Sequence, residues 1–290
     1  MSTRSLKLRE YLSDGQTHMV VSAYDALTAR LADTAGFPIL HVTGFGVSAG
    51  YGYPDIGLLT LTEMVDVCRR ICEATDKPVI ADGDTGHGNE INVWRTIRGF
   101  EAAGAAGVHL EDQVAPKRCG HMHGKSVIAI EDMVSKIATA VDARRDSDFV
   151  VIARTDALAI EGLDSALERA HAYREAGADV LFIEAPRSEA DLVRIATELI
   201  PTPLVFNWSF DGITPDINLG RIAELGYSLV LFTDVASVVH RAVANFYSRL
   251  LLAEQFADLQ ESITPFGEFN EFLDLSTWRE REARHTGQSR

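Results

Sequence analysis

Residues 103–112 read AGAAGVHLED and set three kinds of residue in a fixed order. Gly104 follows an amphipathic stretch, and glycine is the residue expected just after the end of a helix. Residues 108–110 then form a largely apolar run that is too short for a helix and is typical of a buried strand. Glu111 and Asp112 follow directly. This order of helix, glycine, short strand and polar residues recurs along the chain.

Eight short apolar runs, rich in residues that favour strands, are spaced along the sequence. They lie at 19–23, 39–43, 79–81, 108–110, 149–153, 180–183, 204–206 and 229–232. The runs are nearly uninterrupted, as expected for parallel strands that are covered on both faces. The sequence therefore predicts eight parallel strands.

Amphipathic stretches with helical spacing separate these runs. The clearest lie at 62–74, 92–103, 130–143, 164–176, 189–199 and 216–225, and several of the helical stretches end in glycine, as at Gly36, Gly104, Gly177 and Gly226. Eight strands that alternate with helices predict the α/β class and a (β/α)8 TIM barrel. A doubly wound open sheet is the alternative, and the lack of a G-x-G-x-x-G motif after the first strand weighs against it.

The length of 290 residues fits one barrel domain over 1–290. We expect a helical segment at 1–18 and a helical extension at 237–290, because neither stretch has the character of a strand. The extension has no place in the barrel, and its aromatic residues at helical spacing suit packing on another subunit.

The composition narrows the class of protein. The chain has 42 acidic and 27 basic residues and a formal net charge of −15. This charge argues against a nucleic-acid partner, which needs a basic face, and against an acidic membrane surface. No apolar run is long enough to span a bilayer, and the N-terminus lacks the apolar core of a signal peptide.

The three cysteines are Cys68, Cys72 and Cys119. Three sparse cysteines do not form a disulfide framework, so we expect a reducing compartment and a cytoplasmic location. Cys68 and Cys72 share one helix face, and we interpret them as core residues because free cysteine commonly packs as a small hydrophobe.

Polar residues follow nearly every predicted strand. They are Tyr24 and Asp25, residues 43–46, Asp55, residues 82–88, Glu111 and Asp112, residues 154–156, Glu184, residues 207–209, and Thr233 and Asp234. Barrel active sites lie at the C-terminal ends of the strands. Charged residues are rarely buried unless they are paired, so these groups are expected to share a cavity.

Asp82 and Asp84 are two residues apart, and Asp55 and Glu111 can join them. A cluster of carboxylates with few imidazoles suits Mg²⁺ or Mn²⁺ better than zinc. A turn stabilised by aspartate caps is the alternative interpretation. Arg154 at a strand end suits capture of a substrate carboxylate, or an ion pair with Asp156 or Glu184.

Residues 111–125 read EDQVAPKRCGHMHGK and combine a thiol with several basic groups. The residues concerned are Lys117, Arg118, Cys119, His121, His123 and Lys125, with Gly120 and Gly124 between them. Cationic neighbours lower the pKa of a thiol, and mobile loops often close active sites. We predict a lid that carries a proton donor; a solvated basic loop with an inert cysteine is the alternative.

Eight motifs together resemble the isocitrate lyase/phosphoenolpyruvate mutase superfamily over nearly the whole chain. They are SAYDALTA (22–29), TGFG (43–46), YPD (53–55), ADGDTGHGN (81–89), EDQVAPKRCGHMHGK (111–125), ARTDA (153–157), FIEAP (182–186) and FGEFNEFLDLSTW (266–278). The KRCGH sequence at 117–121 is similar to that of the carbon–carbon lyase branch. A phosphonomutase also carries this loop, so phosphorus–carbon chemistry stays open.

The resemblance implies roles for the residues at the strand ends. It implies Mg²⁺ near Asp82 and Asp84, with Asp55 and Glu111 holding its waters, and a gating loop built from Lys117, Cys119, Gly120 and His121. Thr43, Gly44 and Phe45 would bind the 2-oxo acid end of the ligand, and Arg154, Glu184, Asn207 and Ser209 would line the rest. Phe45, Trp208 and Phe210 depart from the usual family pattern and would reshape the substrate-binding wall.

The implied reaction is cleavage of the C2–C3 bond of a 2-hydroxy di- or tricarboxylate, of the 2-methylisocitrate or 2,3-dimethylmalate type. Cys119 would protonate the departing carbon, and Tyr24, a carboxylate or a metal-bound water would remove the hydroxyl proton. Hydrolysis or decarboxylation of oxaloacetate is the alternative. The resemblance also implies dimers or tetramers in which the eighth helix is exchanged between subunits.

Overall fold

The computed structural model describes residues 3–120, 122, 124–210 and 212–286, and it contains a parallel sheet of eight strands in the order β6-β5-β4-β3-β2-β1-β8-β7. The strands are β1 (His18–Ala23), β2 (Ile39–Val42), β3 (Val79–Asp82), β4 (Gly107–Glu111), β5 (Val150–Thr155), β6 (Val180–Ile183), β7 (Val205–Asn207) and β8 (Leu229–Phe232). A parallel bridge between Leu181 and Leu204 joins the two edges and nearly closes the sheet. The predicted (β/α)8 barrel is therefore confirmed.

Helices alternate with the strands, as the hydrophobic spacing predicts. They are α1 (Thr3–Ser13), α2 (Ala26–Thr34), α3 (Gly44–Gly50), α4 (Leu61–Ala74), α5 (Glu90–Ala103), α6 (Ile130–Ala143), α7 (Leu158–Glu161), α8 (Leu163–Glu175), α9 (Glu189–Leu199), α10 (Leu219–Glu224) and α11 (Val235–Leu250). Capping boxes at Asp25 and Thr60 start α2 and α4. No helix in the described ranges is long and apolar enough to cross a membrane.

The predicted element bounds are close to the observed ones except at α10 and α11. The helix predicted at 216–225 begins only at Leu219, because the Asn218 side chain caps it by accepting a hydrogen bond from the Gly220 amide. Within the helical extension predicted at 237–290, α11 ends at Leu250 and no single helix continues from it. These differences leave the strand ends, and therefore the predicted site, in place.

The chain forms two compact units, Met1–Ala236 and Ser237–Arg290. The first holds the barrel. The second is helical, as predicted for the extension: beyond α11 it contains short 3-10 turns at Phe256–Asp258 and Gln260–Ser262, then α12 (Phe266–Phe272) and α13 (Leu275–Thr286). That the whole chain behaves as one domain stays a prediction.

Alternate residues of each strand point into the barrel and form its interior core. This core contains Val20, Ile39, Ile80, Val150, Ile152, Val180, Phe182, Val205, Leu229 and Leu231. Leu8 of α1 belongs to the same cluster and is fully buried. The predicted site lies at the C-terminal ends of the strands, so the opposite end of the barrel is formed by their N-terminal ends. α1 supplies the apolar side chain that closes this end.

Replacing Leu8 with alanine is expected to lower the free energy of unfolding by about 2–5 kcal/mol, because a buried leucine leaves a cavity when it is truncated. Leu6→Ala is the matched control, since Leu6 lies on the same helix and is 48% exposed. Urea denaturation monitored by circular dichroism measures both. Equal losses for the two variants would contradict the assignment of Leu8 to the barrel core.

Candidate active site

Five polar side chains enter the C-terminal mouth of the barrel because of strand alternation. Residues two positions earlier in the same strands, such as Ile80, Ile152, Phe182 and Val205, belong to the interior core. Side chains alternate between the two faces of a strand. The inward positions at the strand ends are therefore occupied by Asp82, Glu111, Arg154, Glu184 and Asn207, four of them buried and Arg154 with only 11% of its side chain exposed.

Arg154 lies at the centre of this group. Its Nε lies 3.0 Å from Asp156 Oδ2 and 3.3 Å from Glu111 Oε2, and its Nη1 lies 3.3 Å from Glu184 Oε2. The guanidinium also stacks over the Phe182 ring at 5.2 Å. The two ion pairs that the sequence suggested for Arg154 are both present, and Asn207 Nδ2 donates to Glu184 at 3.1 Å.

Asp82 and Asp84 converge beside the backbone of Gly44. The Gly44 amide donates to Asp82 Oδ2 and the Asp84 amide donates to Asp82 Oδ1, each at 3.0 Å. A Cβ at position 44 would lie 2.6 Å from Asp82 Oδ2 and 3.6 Å from Asp84 Oδ1. Position 44 therefore leaves no room for a side chain next to the two carboxylates.

Lys117 connects the predicted lid to these carboxylates. Its Nζ lies 2.6 Å from Asp55 Oδ1 and 2.9 Å from Asp84 Oδ1, and both partners are buried. Burial acts to lower the pKa of Lys117, but the carboxylates around it, Asp84 first, raise it well above its ordinary value. Lys117 is therefore a permanent cation at this site.

The mouth of the barrel holds more negative than positive charge. Among the described residues it contains six carboxylates and three cationic side chains: Asp55, Asp82, Asp84, Glu111, Asp156 and Glu184 against Lys117, Lys125 and Arg154. Burial raises the pKa of Asp84 to about 6 and that of Glu111 well above its usual range. No hydrogen-bond partner for Glu111 Oε1 lies in the part of the chain that the structure describes.

These carboxylates fit a hard divalent cation. Buried carboxylates whose pKa values are raised by burial lack sufficient countercharge, and a cation with oxygen ligands would supply it. Asp82, Asp84 and Glu111 would hold the ion, with Asp55 close by through Lys117. When bound, Mg²⁺ would act as a Lewis acid toward an oxygen of the ligand.

A second group with metal-ligand character, His41, Asp82 and His109, lies deeper in the barrel, with its ligand atoms within 4.8 Å of one another. The Nε2 atoms of the two histidines are 2.9 Å apart, their rings are nearly parallel, and Ser22 Oγ lies 3.0 Å from His41 Nδ1. Burial lowers the pKa of both histidines, that of His41 to about 3. Two neutral imidazoles at this spacing are joined by an N–H···N hydrogen bond, so the arrangement is a hydrogen-bonded chain below the carboxylates.

The predicted lid is anchored at its base by backbone and side-chain bonds. Val114 N donates to Ser126 O at 2.8 Å, and the Gln113 side chain accepts from the Arg118 amide and donates to the Arg118 carbonyl. Further along, Cys119 N donates to Asp55 O at 3.2 Å. These bonds fix the backbone of the half-buried Cys119 beside Asp55.

Gly120 sits directly on the floor of the site. A Cβ at this position would lie 2.5 Å from Arg154 Nη2 and 2.8 Å from Glu184 Cγ. The backbone of residue 120 can approach Arg154 this closely only because the residue is glycine. His121, which the resemblance places in the same loop, lies outside the described residues.

Three buried residues of the site were not among the predicted site residues. Asp156 accepts from Arg154 and from Lys125, whose Nζ lies 2.7 Å from Asp156 Oδ1. Asp112 accepts from the Asp156 amide at 3.0 Å, the Thr155 hydroxyl at 2.7 Å and the Tyr173 hydroxyl at 2.8 Å. Asp112 and Asp156 carry a signal in the sequence, because both are acidic residues directly after predicted strands, and Asp156 is predicted there as an ion-pair partner of Arg154. Lys125 is predicted as part of the lid, without a partner.

Four further predicted site residues lie close to the strand ends, three of them predicted to bind the ligand and Tyr24 predicted to be catalytic. Thr43 is the N-cap of α3, and its hydroxyl accepts from the Gly46 amide. Phe45 and Ser209 are half-buried. Tyr24 packs beside Gly46, and burial, followed by the charge of Asp25, raises its pKa. A raised pKa suits a phenol that donates a hydrogen bond better than one that removes a proton. The roles of all four stay predictions.

Comparison with known proteins identifies the family of this fold and site. Residues 8–251 match the family model described as phosphoenolpyruvate phosphomutase. The chain is 44% identical over 278 residues to 2,3-dimethylmalate lyase of Eubacterium barkeri, which covers 95% of this chain and 96% of the relative. The chain belongs to the isocitrate lyase/phosphoenolpyruvate mutase superfamily. Within this superfamily the protein is a carbon–carbon lyase, as its lyase relatives indicate.

Two solved structures of the superfamily share the whole architecture. One is an oxaloacetate acetylhydrolase in complex with the inhibitor 3,3-difluorooxalacetate, with a TM-score of 0.92, 34% identity and 99% of each chain covered. The other is a phosphonopyruvate hydrolase in complex with oxalate and Mg²⁺, with a TM-score of 0.88, 30% identity, and 98% of this chain and 99% of the other covered. The expected family is thus confirmed, and the relatives differ in what their names say they act on.

Proposed function

We propose that this protein is a Mg²⁺-dependent lyase that cleaves the C2–C3 bond of a 2-hydroxy di- or tricarboxylate of the 2,3-dimethylmalate or 2-methylisocitrate type. The products would be a 2-oxo acid and a second carboxylate. The observation that carries the proposal is the lid: Gly120 packs on Arg154 and Glu184, and Cys119 is tied to the Asp55 carbonyl. The thiol is therefore carried by a lid segment at the barrel mouth, where the cations Lys117 and Arg154 meet the buried carboxylates.

Different residues of the site would have different roles in such a cleavage. Lys117 and Arg154 would neutralise the anionic substrate, and the backbone of Gly44, against Asp82, and of Gly120, against Arg154, would border it. A carboxylate of the mouth would accept the proton of the substrate hydroxyl, and Tyr24 would donate a hydrogen bond to the ligand. The electron pair of the C2–C3 bond would pass to the departing carboxylate, which becomes an enolate-like acid near Arg154. Cys119 would then give its thiol proton to that carbon.

One of the similar solved structures supports a second candidate function, hydrolysis of oxaloacetate. The high structural similarity to an oxaloacetate acetylhydrolase favours it, and it would use the same carboxylates and Arg154 on a smaller substrate. Lyase activity is preferred because relatives named as lyases, 2,3-dimethylmalate lyase among them, are 44% identical to this chain over 79–95% of its length.

An assay for release of a 2-oxo acid tests the proposal. The panel contains 2,3-dimethylmalate, 2-methylisocitrate, isocitrate, other 2-alkylmalates and oxaloacetate, each with Mg²⁺, with Mn²⁺ and with EDTA. We expect a 2-oxo acid from one hydroxy acid and no activity in EDTA. Oxalate from oxaloacetate alone would replace the lyase proposal with the hydrolase, and turnover of a phosphonate followed by ³¹P NMR would replace it with phosphorus–carbon chemistry.

We also propose that the protein assembles as a dimer or tetramer through α11, with the eighth helix exchanged between subunits. None of the residues of α11 is buried, and Val243, Tyr247 and Leu250 present an exposed apolar face at i, i+4 and i+7 spacing. An amphipathic helix normally buries such a face.

Light scattering coupled to size-exclusion chromatography tests this assembly. The expected mass is a multiple of 31.7 kDa, and Tyr247→Glu is expected to reduce it. Arg241→Glu, a charge change on the opposite side of the same helix, is the control. A monomeric wild-type protein would contradict the proposal, as would a Tyr247→Glu variant that keeps the full mass.

A further inference from the structure

Lys125 is a buried cation at the C-terminal end of the lid. Only 2% of its side chain is exposed, and its Nζ lies 2.7 Å from Asp156 Oδ1. The same ammonium donates to the carbonyl of Gly120, five residues earlier in the lid. Burying a lysine ammonium is costly unless it is paired and hydrogen-bonded, so these two contacts must account for its position.

Asp156 connects Lys125 to the floor of the site. Its carboxylate accepts from Arg154 Nε at 3.0 Å and from Arg154 Nη2 at 3.2 Å, while its amide is fixed by Asp112. Burial acts to raise the pKa of Asp156, but the charges of Arg154 and Lys125 lower it to about 2. One permanently ionised carboxylate therefore holds both the substrate-facing arginine and the lysine of the lid.

The second contact of Lys125 is made at the point where the lid meets the floor. The Gly120 carbonyl that Lys125 binds belongs to the residue whose Cα faces Arg154 Nη2 and Glu184. Cys119 precedes it in the chain. Lys125 thus connects the segment that carries the thiol with the carboxylate that orients Arg154. Lys125 and Asp156 are 31 residues apart in the sequence.

We propose that Lys125 is a positioning residue that latches the lid, holding Cys119 and Gly120 over Arg154 through its bonds to Gly120 and Asp156. It does not act as a catalytic residue, because its ammonium is buried and both contacts are to the protein. The proposal deepens the proposed function and rests on it only for the effect on turnover. The latch itself is a statement about the position of the lid.

The rate at which iodoacetamide alkylates Cys119 measures the latch without any substrate. Mass spectrometry follows each cysteine separately, and Cys68 and Cys72, which are 0% and 2% exposed, serve as internal standards. We expect Lys125→Met to raise the alkylation rate of Cys119 by about tenfold or more, because the population of a locally opened segment follows the contacts that hold it closed. The rates for Cys68 and Cys72 are expected to stay unchanged.

Two variants and one control keep the test sharp. Lys125→Arg retains the charge and is expected to restore most of the slow alkylation. Lys125→Gln retains a donor without the charge and provides a milder change should Lys125→Met fail to fold by circular dichroism. Lys77→Met is the control, since the Lys77 ammonium lies 3.8 Å from Asp33 and its side chain is 29% exposed. Alkylation of Cys119 at the wild-type rate in folded Lys125→Met, or in folded Lys125→Gln if Lys125→Met does not fold, would overturn the proposal.

Turnover then separates the latch from the proposed function. With the substrate found in the assay, Lys125→Met is expected to lower kcat/KM by about tenfold or more, in step with the rise in Cys119 alkylation, and Lys125→Arg is expected to recover it. Faster alkylation in a protein that cleaves none of the tested acids would leave the latch standing and sink the proposed function. Unchanged alkylation in an active lyase would do the reverse.

Discussion

Replacing Cys119 with serine is expected to lower kcat by about 10²–10⁴-fold, the usual contribution of a positioned general acid. A serine hydroxyl is a far weaker acid than a thiol, so the departing carbon would wait for a proton from water. The Cys119 amide binds the Asp55 carbonyl and the Gly120 backbone packs on Arg154, and neither contact involves the thiol. The substitution therefore leaves the lid in place.

Binding and turnover together test this role for Cys119. Calorimetric titration with oxalate, a product-like dicarboxylate, and with Mg²⁺ is expected to give affinities near those of the wild type. Cys72→Ala is the control, because Cys72 is buried on α4 and its Sγ faces Cys68 at 4.0 Å, in the outer core of the barrel. Wild-type turnover in Cys119→Ser would remove the thiol from the mechanism.

The residues of the barrel mouth could be predicted from the sequence because each of them can be found from its own strand alone. An apolar run such as 79–81 predicts a strand. A polar residue directly after the run lies at the C-terminal end of that strand, which is the active-site end of a barrel. The alternation of side chains along the strand then predicts that this residue points inward. Asp82, Glu111, Arg154, Glu184 and Asn207 could all be found in this way. Their chemical roles came from the resemblance and stay predictions.

The contacts that hold the site residues in place could not be predicted in this way, because the residues that make them are far apart in the sequence. Lys125 pairs with Asp156 across 31 residues, and Asp112 binds Tyr173 across 61. Such pairs depend on the path of the lid and on the rotation of α8 against the barrel, which no spacing rule fixes. The His41–His109 bond is similar, since either residue alone is indistinguishable from an ordinary buried histidine.

Replacing Asp84 with asparagine is expected to weaken Mg²⁺ binding by about 10–100-fold or more, since loss of even an outer partner of a metal has an effect of that size. Asparagine has the same shape and tolerates the positive φ of 46° at this position. Asp82 is a less informative target, because both of its oxygens accept backbone amides that stabilise the loop, and an amide side chain would satisfy only one. Calorimetric titration with Mg²⁺ and Mn²⁺ measures the change.

The pH dependence of Mg²⁺ binding is a second test of whether Asp84 binds the ion. Burial raises the pKa of Asp84 to about 6 in the protein without metal, so protons compete with the cation below that pH. The apparent Mg²⁺ affinity of the wild type is therefore expected to fall as the pH drops through about 6. Asp84→Asn is expected to lose the part of this dependence that comes from Asp84, while Glu111, whose pKa burial also raises, keeps its own part in both proteins. Asp76→Asn, which alters a fully exposed carboxylate, is the control.

The two readings together distinguish a ligand from a structural carboxylate. If Asp84 only anchored Lys117, its removal would free a lysine but leave the Mg²⁺ affinity and its pH dependence unchanged. If Asp84 binds the ion directly, both must change, because the proton and the metal occupy the same oxygen. Unchanged affinity in Asp84→Asn would move the ion toward Asp82 and Glu111 and would leave Asp84 as the partner that keeps Lys117 charged at the edge of the lid.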